Sequence, residues 1–296
     1  MRDSGVESFR SDPDNTRMSD IRLARVGSVV AAVMLVCGVV ACSHASKAET
    51  RTTSFVTPKP PAGVLTNAGA FSLHPEPGRV ALATEPISVR YTFDGGVNRP
   101  ITDLKGGHRL FAVGQNGGKL SLVPQGSGLA VEYPDRCNLS SERECPRAIL
   151  EGVRDDALNP GKRPMRYGAS IQMTHGDLAD GANVLQKGYS VGKVSQFKLQ
   201  VDHRAGHPSC VIASRTKIYR AEPPLDVADG AWHNVTCARS ATRLAIIVDG
   251  VERAAVHVPP SLSIANAEPL RVGGKGANKG NDQFAGRIDN VFLSIA

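Results

Sequence analysis

The feature that most limits this chain is a two-residue alternation of apolar and polar side chains, recurring from residue 87 to the C-terminus. Ile87-Ser88-Val89-Arg90-Tyr91-Thr92-Phe93 shows it first. The same alternation, or a short apolar run, returns at 119–123, 128–131, 170–173, 195–201, 233–237, 243–248, 270–272 and 287–293. Such runs are half-buried β-strands, because successive strand side chains point to opposite faces. Turn residues separate them: Asp94-Gly95-Gly96, Asp180-Gly181, Asp229-Gly230, Asp249-Gly250 and Gly273-Gly274. No stretch carries the apolar spacing of an amphipathic helix. Many short strands punctuated by Gly and Pro predict an all-β sandwich spanning 87–296.

The N-terminal part is organised differently. Val26 to Ala41 is a 16-residue run without a charge, preceded by Arg22 and Arg25. A positive flank, an apolar centre and small residues beyond it make an export signal. The run ends Val39-Val40-Ala41-Cys42, which resembles the lipobox of bacterial lipoproteins and implies acylation of Cys42. An uncleaved single-span anchor and secretion after cleavage near Ser43-His44-Ala45 are the alternatives. All three place the sandwich outside the cytoplasm, at the membrane or secreted. The expected organisation is a polar extension at 1–17, a signal or anchor segment at 18–48 with Met18 as a second possible start, a Pro/Thr/Ser-rich linker at 49–86, and the sandwich at 87–296. The linker, with Thr57-Pro58-Lys59-Pro60-Pro61 at its centre, is a semi-rigid spacer by composition.

Charge says little about partners. The chain has 35 Lys and Arg against 28 Asp and Glu. Six of each sign fall in residues 1–50, so the remainder carries the whole excess of +7 without a clustered basic run. No nucleic-acid footprint is present.

Six cysteines divide into Cys37 and Cys42 in the export segment and Cys137, Cys145, Cys210 and Cys237 beyond it. An even number in an exported domain predicts disulfides. Of three connectivities the local one, Cys137–Cys145 and Cys210–Cys237, is expected, with the second pair stapling neighbouring strands. His203, His207 and Cys210 offer a competing metal set, but Gly206 and Pro208 make that stretch a turn.

Four motifs in the C-terminal third carry a family resemblance. Asp229-Gly230-Ala231-Trp232-His233-Asn234-Val235 looks like the D-G-x-W-H-x-V strand entry of laminin G-like domains. Arg243 to Gly250 is similar to their L-x-L-x-V-D-G hairpin, Pro269-Leu270-Arg271-Val272-Gly273 to their P-L-x-I-G segment, and Phe284 to Val291 to their closing F-x-G-x-I-D-x-V strand. Upstream, Tyr91-Thr92-Phe93-Asp94 resembles the opening strand and Val184 to Gly188 the L-x-K-G turn. The resemblance implies a concanavalin A-like jelly roll of two antiparallel sheets. It also implies a look for calcium at the sandwich edge, where Asp94 and Asp289 are the candidate ligands. The residues alone also allow a turn-forming Asp94 and a satisfied strand-end Asp289. No other cofactor is expected.

Glycosidases of this superfold need two carboxylates on one strand face, and no E-x-D-x-E or E-x-D-x-x-E run exists here. A Gly-x-Ser-x-Gly elbow, a His-Glu-x-x-His helix and a phosphate loop are missing too. The expectation is therefore a binding or adhesion module, not an enzyme, recognising a glycan or an extracellular protein. A carbohydrate-active enzyme with an unfamiliar acid/base pair and a purely structural envelope protein are the alternatives. Among 14 aromatics, Tyr133, Tyr167, Tyr189 and Tyr219 are the free candidates for stacking on a sugar. Trp232, the single Trp, is expected to anchor the core.

Overall fold

The computed structural model describes residue 82 and residues 85–296, apart from 179–180, 191–193 and 203–204. The export segment with Cys42, the N-terminal extension, nearly all of the linker and His203 lie outside the described residues. Both disulfides form, Cys137–Cys145 and Cys210–Cys237.

The described chain is built of strands, with three single-turn 3-10 helices between them. In order these are β1 (Ile87–Tyr91), β2 (Ile101–Thr102), β3 (Arg109–Gln115), β4 (Ser121–Gln125), β5 (Gly128–Tyr133), β6 (Arg147–Gly152), β7 (Met165–Thr174) and β8 (Ala182–Gly188). They continue as β9 (Gln196–Asp202), β10 (His207–Ala213), β11 (Ile218–Ala221), β12 (Asp229–Arg239), β13 (Arg243–Val248), β14 (Val251–His257), β15 (Leu270–Val272) and β16 (Gly286–Ile295). Sheet I has the order β14-β13-β12-β7-β16-β5-β4, with β1 also paired to β16; sheet II has the order β11-β10-β9-β8-β15-β6-β3-β2. Every pairing is antiparallel. The fold is the concanavalin A-like jelly roll.

The sheets pack face to face, and the alternation decides which side chains meet. Tyr167, Ala169, Ile171 and Met173 of β7 and Val235 and Cys237 of β12 oppose Phe197, Leu199 and Val201 of β9 and Cys210 and Ile212 of β10. The Tyr167 and Phe197 rings touch across the layers with centroids 5.0 Å apart. The Tyr167 hydroxyl lies 3.3 Å from the Lys198 and Val211 carbonyl oxygens, so sheet I is hydrogen-bonded to the backbone of sheet II.

One expectation needs correction here. Cys210 lies on β10 in sheet II and Cys237 on β12 in sheet I, so their disulfide joins the two sheets through the core and does not staple neighbouring strands. Closing a loop across a separation of 27 residues contributes about 3.5 kcal/mol by the chain-entropy account.

Two turns show why their residues are there. Asp249 and Gly250, between β13 and β14, both have positive φ (51° and 79°), as the two-residue hairpin requires. Gly286, at φ 105°, opens β16 where a Cβ would lie 2.4 Å from the Gln172 carbonyl oxygen.

Lys187 near the end of β8 is fully buried and, among the described residues, has no carboxylate ion pair. Its ammonium donates to the Asn266 and Glu268 carbonyl oxygens and to Asn266 Oδ1 at 2.8–3.2 Å. Burial pushes its pKa down to about 8, while the three acceptors tie β8 to the segment before β15.

Candidate functional site

Because Phe197, Leu199 and Val201 face the core, the alternate residues of β9, namely Gln196, Lys198, Gln200 and Asp202, face away from it. The same logic sends Asn183 and Gln186 of β8, Ser209 of β10, Arg271 of β15 and Glu151 of β6 to the outer side of sheet II. Register aligns them: Lys198 lies directly beside Gln186, Gln186 beside Arg271, and Arg271 beside Glu151. An outer sheet face is usually solvated, yet Asn183, Gln186 and Ser209 are 0% exposed and Gln196 and Gln200 only 3%.

The chain between β15 and β16 closes over part of this face. The Asp282 carbonyl accepts from the Asn183 N–H at 2.9 Å, Lys275 pairs with Asp282 at 2.6 Å, and the Tyr189 hydroxyl donates to the Lys275 carbonyl at 3.0 Å. Beneath that loop is a cavity of about 490 Å³ bordered by Tyr189, Arg271, Glu151 and Val113. The Arg271 guanidinium stands 5.3 Å from the centre of the Tyr189 ring. The Gly-rich stretch from Gly273 is thus a wall of this cavity.

The polar groups of the face are partly spoken for. Asn183 Nδ2 donates to Gln186 Oε1, and Gln186 and Gln196 donate to the Gly188 carbonyl. Among the described residues, however, Asn183 Oδ1 and Gln196 Oε1 accept nothing. Lys198 Nζ likewise has no hydrogen bond or ion pair there, and burial pushes its pKa down to about 8, with Asp282 and Asp202 among the nearest charges. By contrast each carboxylate of the face is ion-paired: Glu151 and Glu268 with Arg271, Asp202 with Arg220, Asp282 with Lys275. The arrangement offers amide donors and acceptors, an amine and an aromatic ring, the inventory that binds a hydroxyl-rich ligand. It does not present two unpaired carboxyls across a gap.

The two acidic candidates meet elsewhere, on sheet I, at the gap where β5 gives way to β1 along the central strand β16. On one side of β16, β5 pairs with Gly286–Ile288 and β1 takes over at Val291. The register of β16 against β7 is broken between Asp289 and Phe292, and Asn290 is held at φ 49°. Asp94 follows β1, after Phe93 at φ 61°, and its Oδ1 accepts from the Leu129 N–H at 2.8 Å. Asp94 therefore does fasten a turn, to β5. Asp289 is 6% exposed, and among the described residues its carboxylate accepts hydrogen bonds only from its neighbour Asn290. Burial, then the Asp94 carboxylate, raises its pKa. A buried carboxylate beside a second one, with no ion pair among the described residues, fits an oxygen-ligated cation. No third His, Cys, Asp or Glu joins them among the described residues.

The aromatic candidates separate cleanly. Tyr133 and Tyr167 are not free: both are in the core, Tyr133 edge-on to Phe284. Tyr219 packs partly against the core under Lys217. Tyr189 alone reaches the outer face of sheet II. Trp232 is not a core anchor; it is partly exposed and outside the core cluster.

Residues 169–294 match the family model of the concanavalin A-like lectin/glucanases superfamily. They are a concanavalin A-like domain. The strands β1–β6 precede the matched segment and complete its two sheets. Domain 4 of AbnA, a GH43 extracellular arabinanase from Geobacillus stearothermophilus solved in complex with arabinotriose, has a similar fold. Its identity is 12% and its TM-score 0.52, covering 70% of this chain and 91% of that one. The binding domain of Paraclostridial Mosquitocidal Protein 1 is similar at 13% identity and a TM-score of 0.51, covering 69% of this chain and 48% of that one. No curated protein sequence is significantly similar to this chain.

Within the concanavalin A-like domain the motifs explain one another. His233, from the Trp232-His233 strand entry, faces a carboxylate at each ring nitrogen: Asp249 at 2.8 Å from Nδ1 and Asp229 at 3.1 Å from Nε2. Asp249 belongs to the hairpin motif and also accepts from the Asn234 N–H at 2.8 Å, so two sequence motifs form one cluster. Burial alone would lower the His233 pKa, but the two carboxylates outweigh it and raise it. The imidazolium's contribution to stability is therefore complete below the unfolded value near 6.5 and lost as pH rises through the higher folded value. The denaturant midpoint should fall as pH rises from the unfolded value through the raised folded one, and His233→Gln should remove that part of the slope. An identical slope in the variant would show that the cluster does not couple folding to pH.

Proposed function

We propose that the protein is an extracytoplasmic, membrane-tethered binding module that takes a glycan on the outer face of sheet II and performs no chemistry on it. The observation that carries this reading is the covered polar layer of β8 and β9. The amide oxygens of Asn183 and Gln196 are buried there without partners among the described residues, which costs stability unless a ligand or water completes them, and the half-buried Lys198 amine stands on the same face. The cavity beside Tyr189 supplies an aromatic wall. That domain 4 of AbnA was solved with arabinotriose supports a sugar as the ligand class, and the pairing of every carboxylate on the face argues for binding without hydrolysis.

The two disulfides belong to an oxidising compartment. The apolar run 26–41 behind Arg22 and Arg25, with Cys42 at its end, supports attachment through a lipid or a helix. The linker 49–86 then holds the domain 87–296 away from the membrane.

Titration calorimetry of the intact protein against arabinotriose, cellotetraose and chitotetraose tests the site. At least one sugar should bind, and Lys198→Met or Gln186→Ala should weaken it about tenfold or more, equivalent to about 1.4 kcal/mol. Unchanged affinity in both variants would contradict the site, and sugar-chain cleavage would contradict the non-catalytic reading.

Asp94 and Asp289 are proposed to hold a structural calcium with backbone oxygens completing the shell. Calcium would offset the repulsion that otherwise charges Asp289 at a cost, a cost absent below the usual carboxylate range and incurred as pH rises through the raised value. Calcium should raise the melting temperature at neutral pH and EDTA should reverse it. Asp289→Asn should abolish the gain while leaving the metal-free protein at least as stable. A melting temperature indifferent to calcium would remove the assignment.

A further inference from the structure

The sequence made Trp232 a core residue, and the structure puts it elsewhere. Val235 and Cys237 of β12 point into the core, so Trp232, three residues before Val235, falls on the outer side of sheet I. The pairing of β12 with β7 is irregular between Asp229 and Trp232, with Gly230 at φ 86°; a bulge of this kind re-aims the side chain beside it. The indole makes no ring contact with another aromatic and no hydrogen bond among the described residues. A large, half-buried apolar ring with a spare N–H donor thus borders the surface.

Its neighbours are ordered. Register places Trp232 beside Gln172, Gln172 beside Arg287, Arg287 beside Glu132, and Glu132 beside Ser121, one residue on each of β12, β7, β16, β5 and β4. At about 4.8 Å between strands the row spans roughly 19 Å. Gln172 Nε2 donates to the Gly230 carbonyl at 2.9 Å, Arg287 to Gln172 Oε1 at 3.2 Å and to Glu132 Oε1 at 3.0 Å, and Ser121 to Glu132 Oε2 at 3.2 Å. The Arg287–Glu132 pair is 41% and 38% exposed, and an ion pair that exposed contributes little stability. What the ladder does provide is planar groups already fixed in place, each with hydrogen-bonding capacity left over, which lowers the ordering cost of binding.

We infer that this row is a second glycan-binding site, on the sheet opposite the first, in which Trp232 stacks on a neutral sugar ring and Gln172, Arg287 and Glu132 bind its hydroxyls. The inference rests on the reading of the domain as a glycan binder. The ligand is neutral because guanidinium and carboxylate cancel within the row. It is a sugar because hydroxyls both donate and accept, as an amide–guanidinium–carboxylate series requires, while the C–H face of the ring matches the indole. Two sites on opposite sheets let one module hold two chains, multiplying its hold on a polymeric ligand without any further contact.

The chain has a single Trp, so its fluorescence reports this site alone. Titrating the intact protein with arabinotriose, cellotetraose and chitotetraose should shift Trp232 emission to shorter wavelength, saturably, and shield it from acrylamide quenching. The response should persist in Lys198→Met and weaken at least tenfold in Gln172→Ala and Glu132→Ala, with melting temperatures unchanged. Trp232→Phe should keep part of the affinity by calorimetry. Emission unmoved by all three sugars, or an undiminished response in Gln172→Ala, overturns the proposal. If Lys198-dependent heat is seen without a Trp232 response, only the sheet II site stands. A Trp232 response without that heat leaves only this one.

Discussion

Each sheet must bury one side against the other, and in a strand that burial dictates what the opposite side can be. On β9 the same backbone that sends Phe197, Leu199 and Val201 inward sends Gln196, Lys198, Gln200 and Asp202 outward. A slip of one residue would put Lys198 among the aromatic rings and a Phe on the surface. Tyr167, bonded by its hydroxyl to the backbone of sheet II, and the Cys210–Cys237 disulfide fix the layers together at this point. The polar face is therefore held in register by the core behind it.

The two lysines on and beside that face illustrate how burial alone fails to identify function. Lys187 and Lys198 are both pushed down to about 8 by desolvation. Lys187 has three oxygen acceptors around its ammonium and is a structural tie between β8 and the 266–268 segment. Lys198 has none among the described residues. The distinction lies in the partners, which only the fold supplies, and it separates a satisfied buried charge from a half-buried one left open to a ligand.

Strands whose apolar and polar residues alternate were legible in the sequence: β1, β9 and β16 fall where period two placed them. β8 was not, since every residue of Ala182–Gly188 is buried, which erases the alternation. A signal was nevertheless present, in that Asn183, Gln186 and Lys187 interrupt an otherwise apolar run. The laminin G-like motifs located the hairpin turn at Asp249-Gly250, while Asp229-Gly230, expected as a turn, is the first part of β12, and the His233 cluster that joins the two motifs had no signal. Sequence proximity also misled about Cys210 and Cys237, whose strands follow one another closely in the chain yet belong to different sheets. Trp232 was located correctly and assigned wrongly: the inward Val235 and Cys237 already place it on the outer side by alternation, and the size of the ring was weighed above its position.

The central claim is that the outer face of sheet II, centred on Lys198 and its amide neighbours, receives the ligand. The most direct measurement is a nuclear magnetic resonance titration of the isotopically labelled protein with the best-binding oligosaccharide, following the side-chain amides and the lysine amines. Saturable shifts are expected for the Asn183, Gln186 and Gln196 amides and for the Lys198 amine, with the buried and fully bonded Lys187 amine unmoved. Binding that shifts other surfaces while these four stay in place would contradict it.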